Sequence, residues 1–372
     1  NIEGILLPTL PAQSSHSESQ GTLFGMNNSM ENQTNISDLD SIFILRVLPS
    51  LYCLIFVVGL PLNCMAAWTF FRVGAESGLV VYLQNMMLAD LLMLITIPLR
   101  VADTLGLKNK DLFVITCRYT DVLFYNCLYM GIILIGFISL ERYVKIVHPS
   151  SSASCTSRFS VLSLLRYLEK TRPAWVVVAI SWVLIFSIVL PNVVMTSLEP
   201  TGQTFEDCMK LKTPMGVKWH KGISVFDTSL FWVTLVIVTF CYGSIGLYKS
   251  NRRVQQDSHN ICRKSSRSIF SILAIFSVCF VPYHICRVPF NLNLLKPSLF
   301  GRNTNFMLYR LKEGTLLLSC LNVCLNPVIY FLMCKTFREG LRRKVSFRKR
   351  RAQTASPLQS VSNFCGERIW VL

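Results

Sequence analysis

The sequence predicts an all-α membrane protein, a seven-transmembrane helix bundle with a short amphipathic eighth helix. Hydrophobic residues make up 52% of the 372 residues and charged residues only 15%, whereas soluble domains carry about 25% charged residues. The formal net charge is nevertheless +17. A nucleic-acid-binding protein would explain the charge but not the apolar composition, so no nucleic-acid polymer is expected as a partner. A membrane protein with its charge in the loops explains both.

Seven apolar stretches account for the predicted spans. Each is long enough to cross about 30 Å of hydrocarbon as a helix. Several contain a proline, which packed membrane helices tolerate as a kink. In chain order the stretches are 42–71, 79–99, 112–147, 174–197, 219–248, 268–290 and 306–333.

Basic residues predict that the N-terminus lies outside the cell and the C-terminus inside. In this orientation the inner segments contain most of the 37 Lys and Arg residues, as the positive-inside rule requires. The tail 1–41 has no Lys or Arg, and it carries N-glycosylation sequons at Asn27, Asn32 and Asn35. We therefore expect a disordered, glycosylated extracellular tail on a multi-pass protein of the plasma membrane.

The chain after the seventh stretch predicts one more helix. Phe337 and Leu341 are one helical turn apart among basic residues, a pattern typical of an amphipathic helix bound to anionic membrane lipids. The predicted domains are thus the tail 1–41, the seven-span domain 42–333, the amphipathic helix 334–345 and a cytoplasmic tail 346–372.

Cys117 and Cys208 are the two cysteines that this topology places in outer segments. Because the outside of the cell is oxidising, the topology predicts a disulfide between them. Such a bond would hold the second outer loop over the mouth of the bundle.

Polar residues within the apolar stretches are costly in a membrane and need an explanation. Asn63, Asp90 and Asn326 lie at similar depth in three stretches. At the inner end of the third stretch, Glu141 and Arg142 are adjacent opposite charges beside Tyr143. This arrangement suits a two-state latch, and the alternative is a group of interfacial anchors.

These residues also occur in the order typical of one receptor family. The sequence resembles the rhodopsin-like G-protein-coupled receptors over about residues 42–345. Within that family it is most similar to the ADP-receptor-like branch of purinergic receptors, and there to the orphan member linked to lysophosphatidic acid. The matching motifs are Gly-x-x-x-Asn63, Leu88-Ala89-Asp90, Cys117, Glu141-Arg142-Tyr143, Trp182, Phe280-Val281-Pro282-Tyr283 and Asn326-Pro327-x-x-Tyr330.

The resemblance implies a role for each matching position. Arg142 would be the latch that opens on activation, and Asp90 would hold a sodium ion, although position 131 is Gly131 where many relatives have a hydroxyl. No other cofactor is expected. The implied partners are heterotrimeric G proteins, of the inhibitory type by analogy with the branch, and arrestin. The implied activation residues are Glu141, Arg142, Tyr143, Tyr242, Phe280, Pro282, Asn326, Pro327 and Tyr330.

Basic residues at the predicted outer mouth favour a small anionic ligand with a phosphate group. Arg287 lies about two turns outward from Pro282, and Lys312 is near the outer start of the seventh stretch. Tyr125 and Tyr129, one turn apart, suit stacking on a base or lining a lipid tail. The resemblance implies nucleotide contacts at Tyr125, Asn192, Lys212, His220, Arg287 and Lys312, and with Tyr129 these are the candidate ligand residues.

Departures from the branch leave the ligand class open. Lys221 replaces an acid, Ser224 replaces an asparagine, and the tail 1–41 has no cysteine for the second outer disulfide of the branch. Both a nucleotide and a lysophospholipid therefore fit. An anion transporter or channel is the alternative of another class. A membrane enzyme is not expected, because no H-E-x-x-H or G-x-S-x-G motif occurs.

Overall fold

The computed structural model describes nine segments of the chain. They are residues 43–72, 74–75, 77–105, 110–148, 165–196, 208–255, 259–295, 300–334 and 337–340. The predicted glycosylation sites Asn27, Asn32 and Asn35, residues 149–164 between the third and fourth predicted stretches, and the tail 346–372 lie outside them.

Helices make up nearly all of the described chain, and no strand occurs in it. The α-helices are α1 Leu48–Phe71, α2 Gly78–Thr104, α3 Lys110–Ile115, α4 Asp121–Val147, α5 Thr171–Val194, α6 Pro214–Gln255, α7 His259–Leu295, α8 Arg302–Cys320 and α9 Asn322–Met333. The π-helical turns Phe43–Val47 and Thr116–Thr120 precede α1 and α4, and the 3-10 turn Cys208–Leu211 precedes α6.

Seven helical segments in the described chain are long and apolar enough to cross a membrane, which confirms the predicted seven-helix class. Called spans 1 to 7, they are Leu45–Phe71, Gly78–Thr104, Lys110–Val147, Thr171–Val194, Pro214–Asn251, Ser271–Leu295 and Thr304–Met333. Span 7 is divided at Leu321, between α8 and α9. Proline lies inside several spans, for example Pro98 in span 2 and Pro282 in span 6.

Span 3 occupies the centre of the bundle. It packs against spans 2, 4 and 5, while span 7 packs against spans 1 and 6 and so closes the ring. Buried amides join the helices: Asn63 Nδ2 donates to the Val323 carbonyl at 2.9 Å, and Trp182 Nε1 donates to Asn85 Oδ1 at 3.3 Å. Polar bonds of this kind hold helices together in lipid, where neighbouring hydrocarbon gives little driving force for association.

The outer surface of the bundle is apolar. Large aliphatic side chains are exposed on it, among them Val57, Ile95, Val183, Val236, Val278 and Val328. A soluble protein of this size would not leave so many apolar side chains exposed. The pattern is that of helices whose outward faces lie in lipid.

The two ends of the bundle differ, and we name them after their residues. The disulfide end carries Cys117 and Cys208, and the Arg142 end carries the C-terminal part of span 3. At the Arg142 end residues 337–340 are helical, and the Phe337 ring lies 5.3 Å from that of Phe70. Most of the predicted eighth helix lies outside the described residues, so that helix stays a prediction.

Candidate functional site

A disulfide joins Cys117 to Cys208 and confirms the predicted pair. The two Cα atoms are 5.4 Å apart, and the sulfurs are buried in a small apolar cluster with Phe113 and Leu211. The bond fixes the turn Cys208–Leu211 against the start of span 3. Lys212, which follows this turn directly, is thereby held at the same end of the bundle.

A cavity lies below the disulfide, between spans 3, 4, 5 and 6. All of the predicted ligand residues except Lys312 line it, namely Tyr125, Tyr129, Asn192, Lys212, His220 and Arg287. Its volume is about 80 Å³, less than the roughly 300–1,000 Å³ of typical small-molecule sites. The side chains around Arg287 are therefore packed closely.

Arg287 is held by contacts from spans 3, 5 and 6. Its residue surface is 7% exposed, and its guanidinium donates to the Tyr283 hydroxyl and, at 3.1 Å, to Ser224 Oγ. The guanidinium carbon lies 5.5 Å from the Tyr125 ring centroid and 5.8 Å from that of Tyr129. Aromatic faces at this range attract a cation, so the tyrosines stabilise a charge that would otherwise be costly to bury.

Asp227 is a further cavity residue that the sequence interpretation missed. Its Oδ2 lies 4.0 Å from Arg287 Nη2, at the limit of an ion pair. A signal was available, because Asp227 lies three residues after Ser224 and therefore on the same face of span 5. Positions facing span 6 cannot be identified without knowing how the helices pack.

Asn291 was missed as well, and it fixes Ser224 in place. Ser224 Oγ donates to Asn291 Oδ1 at 2.7 Å, and Asn291 Nδ2 donates to Thr228 Oγ1 at 2.9 Å and to the Ser224 carbonyl at 3.2 Å. These side chains tie span 5 to span 6 beside Arg287. The position of the guanidinium is therefore set by both spans.

Lys312 is not among the residues that line this cavity. Its Nζ lies 3.1 Å from Glu313 Oε1 and 4.6 Å from the Phe290 ring centroid, and its side chain is almost fully buried. The structure therefore separates Lys312 from the other predicted ligand residues by placing it in an ion pair on span 7.

A third buried ion pair joins spans 2 and 3 at the disulfide end, and neither partner was predicted. Arg100 Nη1 of span 2 lies 3.0 Å from Asp121 Oδ1 of span 3, and the guanidinium carbon lies 4.0 Å above the Phe124 ring. Asp121 also lines the cavity. The cavity wall thus contains acids as well as the expected bases.

Aromatic side chains connect the cavity to the middle of the bundle. Nδ1 of His284 lies 2.8 Å from the Phe280 carbonyl, which can only accept, so Nδ1 carries the proton. In the neutral ring Nε2 then accepts from the Tyr129 hydroxyl at 3.3 Å. The His284 ring stacks on Phe231 at 3.7 Å, and Phe276 touches both Phe231 and Phe280.

Asp90 lies deeper in the bundle and is held by span 7. Both carboxylate oxygens accept from Asn326 Nδ2, at 3.0 and 2.9 Å, and Oδ2 also accepts from the Tyr330 hydroxyl at 3.0 Å. The buried Oδ1 atoms of Asn322 and Asn326 have no hydrogen-bond partner in the described chain. A buried carboxylate in contact with Asn326, whose amide oxygen is free in the described chain, suits a hard cation, although Gly131 offers no side-chain oxygen.

The Arg142 end contains the predicted latch residues in an ion-paired arrangement. Arg142 Nε lies 3.2 Å from Glu141 Oε2, and Lys145 Nζ lies 3.8 Å from Glu141 Oε1. The Tyr143 hydroxyl contacts His148 Nε2 at 3.3 Å. Tyr242 is buried on span 5.

Together these features define a seven-helix membrane receptor with a side-chain cavity at one end and a charged cluster at the other. The family model described as "7 transmembrane receptor (rhodopsin family)" matches residues 62–330. The chain therefore belongs to the rhodopsin family of seven-transmembrane receptors, and it groups with the purinoceptor-like branch.

Curated relatives agree with this assignment. G-protein coupled receptor 87 of Mus musculus is 38% identical over 360 residues, covering 96% of this chain and 95% of the relative. Purinoceptor 14 of Bos taurus is 37% identical over 302 residues, covering 81% and 86%. Purinoceptor 13 of Homo sapiens is 31% identical over 325 residues, covering 86% and 88%.

Membership in the family fixes the general activity. The chain is a multi-pass receptor of the plasma membrane that binds a small ligand and couples to G proteins. Proteins of this family are receptors and not enzymes.

Proposed function

We propose that this receptor senses an extracellular anionic ligand with a phosphate group, and that the disulfide end faces outward. The observation that carries the proposal is Arg287, a buried guanidinium on the wall of the cavity at that end. A guanidinium presents parallel N–H donors that match two oxygens of a phosphate. Lys212 lines the same cavity and adds a second positive charge.

The remaining lining residues suit the uncharged part of such a ligand. Tyr125 and Tyr129 present rings, and Asn192 presents a buried Oδ1 that has no hydrogen-bond partner in the described chain. A ligand N–H or O–H could satisfy that oxygen. His220 lies on the same wall. In this proposal Lys312 contacts the ligand after a rearrangement that separates it from Glu313.

A nucleotide is the first candidate, since relatives over most of the chain are named purinoceptors. A lysophospholipid is the second, and one structural feature favours it. Val122, Asn126 and Val189 line both the cavity and a groove between spans 3 and 4 on the lipid-facing surface. An acyl tail could pass along this shared wall while its phosphate reaches Arg287.

The Arg142 end is the proposed docking face for an inhibitory-type G protein and for arrestin. Release of Arg142 from Glu141 would open this face, with Tyr242 and Tyr330 rearranging beside it. A sodium ion held by Asp90 would neutralise the buried carboxylate in the resting receptor. We also propose that membrane lipids bind to the predicted eighth helix. An anion transporter or channel remains the alternative class.

The test is G-protein activation in cells that express the receptor, with ADP, a UDP-sugar and lysophosphatidic acid as separate ligands. Arg287→Gln should abolish the response while surface expression persists. Arg118→Gln removes an arginine at the same end that does not line the cavity, so it should respond normally. An unchanged dose–response in Arg287→Gln would overturn the proposal. Ion current that persists when G proteins are blocked would support the transporter or channel.

A further inference from the structure

Asp227 places a negative charge beside Arg287, the cation that would bind a ligand phosphate. Its Oδ2 is 4.0 Å from Arg287 Nη2, while the donors of Arg287 bond to Tyr283 and Ser224 instead. Asp227 therefore neutralises the guanidinium by charge without a close hydrogen bond. A contact of this length can be replaced by a ligand oxygen without first breaking a short bond.

The other acid on the cavity wall already has an ion-pair partner. Asp121 is paired with Arg100 at 3.0 Å, so its charge is compensated across spans 2 and 3. Among the lining residues in the described chain, Lys212 and Arg287 supply positive charge and Asp121 and Asp227 supply negative charge. The cavity is consequently much less positive than its basic residues alone suggest.

Charge repulsion from Asp227 grows with the charge of the ligand. A phosphate that reaches Arg287 comes within a few ångströms of the Asp227 carboxylate, and like charges at that distance repel strongly where water is scarce. In a ligand with one phosphate group, only that group is repelled by the Asp227 carboxylate. A chain of phosphates carries several negative charges, so its total repulsion from Asp227 is larger.

We propose that Asp227 is an internal counter-anion to Arg287 that selects ligands with a single phosphate group over polyphosphates. The inference rests on the proposed function, since it assumes that phosphate binds at Arg287. It goes further by naming the residue that limits the ligand's charge, and it ranks lysophosphatidic acid, with one phosphate group, above the diphosphates ADP and UDP-sugar. In the resting receptor Asp227 partners the guanidinium, and the ligand phosphate takes over that role on binding.

The experiment uses the purified full-length receptor in lipid nanodiscs with three inorganic probes: orthophosphate, pyrophosphate and tripolyphosphate. At constant ionic strength, the thermal unfolding midpoint against probe concentration gives an apparent Kd. Asp227→Asn should bind tripolyphosphate at least tenfold more tightly than the unmodified receptor and orthophosphate only about threefold more tightly. Asp227→Ser serves as a second variant if Asp227→Asn does not fold. Asp111→Asn removes an exposed acid at the same end and should change none of the three values.

The outcomes separate this inference from the proposed function. If Asp227→Asn binds all probes like the unmodified receptor while Arg287→Gln loses them, the inference is wrong and the proposed function stands. Weaker binding by Asp227→Asn would also overturn it, because Asp227 would then help to hold the anion. A gain that persists in the double variant Arg287→Gln, Asp227→Asn would show binding elsewhere. If no variant binds any probe, both proposals fail.

Discussion

Tyr330 donates a hydrogen bond from its hydroxyl to Oδ2 of Asp90 at 3.0 Å, joining span 7 to span 2. The same tyrosine ring packs edge-on against Phe70 at 5.5 Å and against Phe337 at 6.1 Å. Tyr330 thus connects the polar centre of the bundle to the first residues after span 7. Movement of this side chain would break contacts at both places together.

Tyr330→Phe should lower the stability of the resting receptor. The ring contacts are kept, but Asp90 loses one of its donors, and among the described residues Asn326 remains as the other. A bond between a buried carboxylate and a hydroxyl contributes about 1–2 kcal/mol in such a setting. The thermal unfolding midpoint of the purified receptor should therefore fall. Tyr167→Phe, at an exposed tyrosine, is the control and should leave the midpoint unchanged.

Glu141→Gln should raise G-protein activation in the absence of ligand. Glu141 is fully buried and holds Arg142 at 3.2 Å and Lys145 at 3.8 Å, so neutralising it releases both cations. Lys145→Gln removes only the longer contact, and that lysine is half exposed; its effect should be much smaller. Nucleotide exchange on a reconstituted G protein measures both. Equal basal rates in all three receptors would mean that Glu141 does not restrain Arg142.

Arg100→Met should be among the most destabilising single changes at the disulfide end. It leaves Asp121 as a buried charge without its partner, a change that costs about 3–5 kcal/mol. The double variant Arg100→Met, Asp121→Asn removes both charges and should recover much of the loss. Arg118→Met controls for removal of an arginine nearby. Surface expression and the unfolding midpoint test this, and a double variant no better than Arg100→Met would contradict the pairing.

The sequence predicted the features that follow from hydrophobicity and charge order. The seven apolar stretches suffice to predict the spans. The disulfide follows from the positions of Cys117 and Cys208 along the chain, because these positions place both cysteines on the same side of the predicted membrane. The sequence also singled out Arg287, close to Pro289 in the sixth stretch, as a candidate ligand residue, and the structure places this arginine on the cavity wall. Asp227, Asn291 and Arg100 were missed for a common reason. The contacts of each side chain depend on which neighbouring helix it faces. That in turn depends on how its own helix is rotated about its axis, and this rotation is set by helix packing.

Glycine is required where span 2 begins. Gly78 N donates to the Glu169 carbonyl at 2.9 Å, and a Cβ added there would collide with the backbone carbonyl oxygen of Leu168. The same oxygen accepts from the Tyr82 hydroxyl at 3.2 Å. The start of span 2 and the turn before span 4 are therefore in backbone contact at the Arg142 end.

Gly78→Ala should separate these two segments and weaken signalling as well as stability. The obstacle is backbone and cannot rotate away, so the turn at 168–170 must shift and lose its bonds to Gly78 and Tyr82. Overpacking of this kind costs about 1–3 kcal/mol. Gly243→Ala is the matched control, because nothing lies within 4 Å of its added methyl and alanine is the better helix former. The unfolding midpoint should fall for Gly78→Ala and stay level or rise for Gly243→Ala. Because the shifted turn borders the proposed G-protein face, ligand-driven nucleotide exchange should fall in the first variant only.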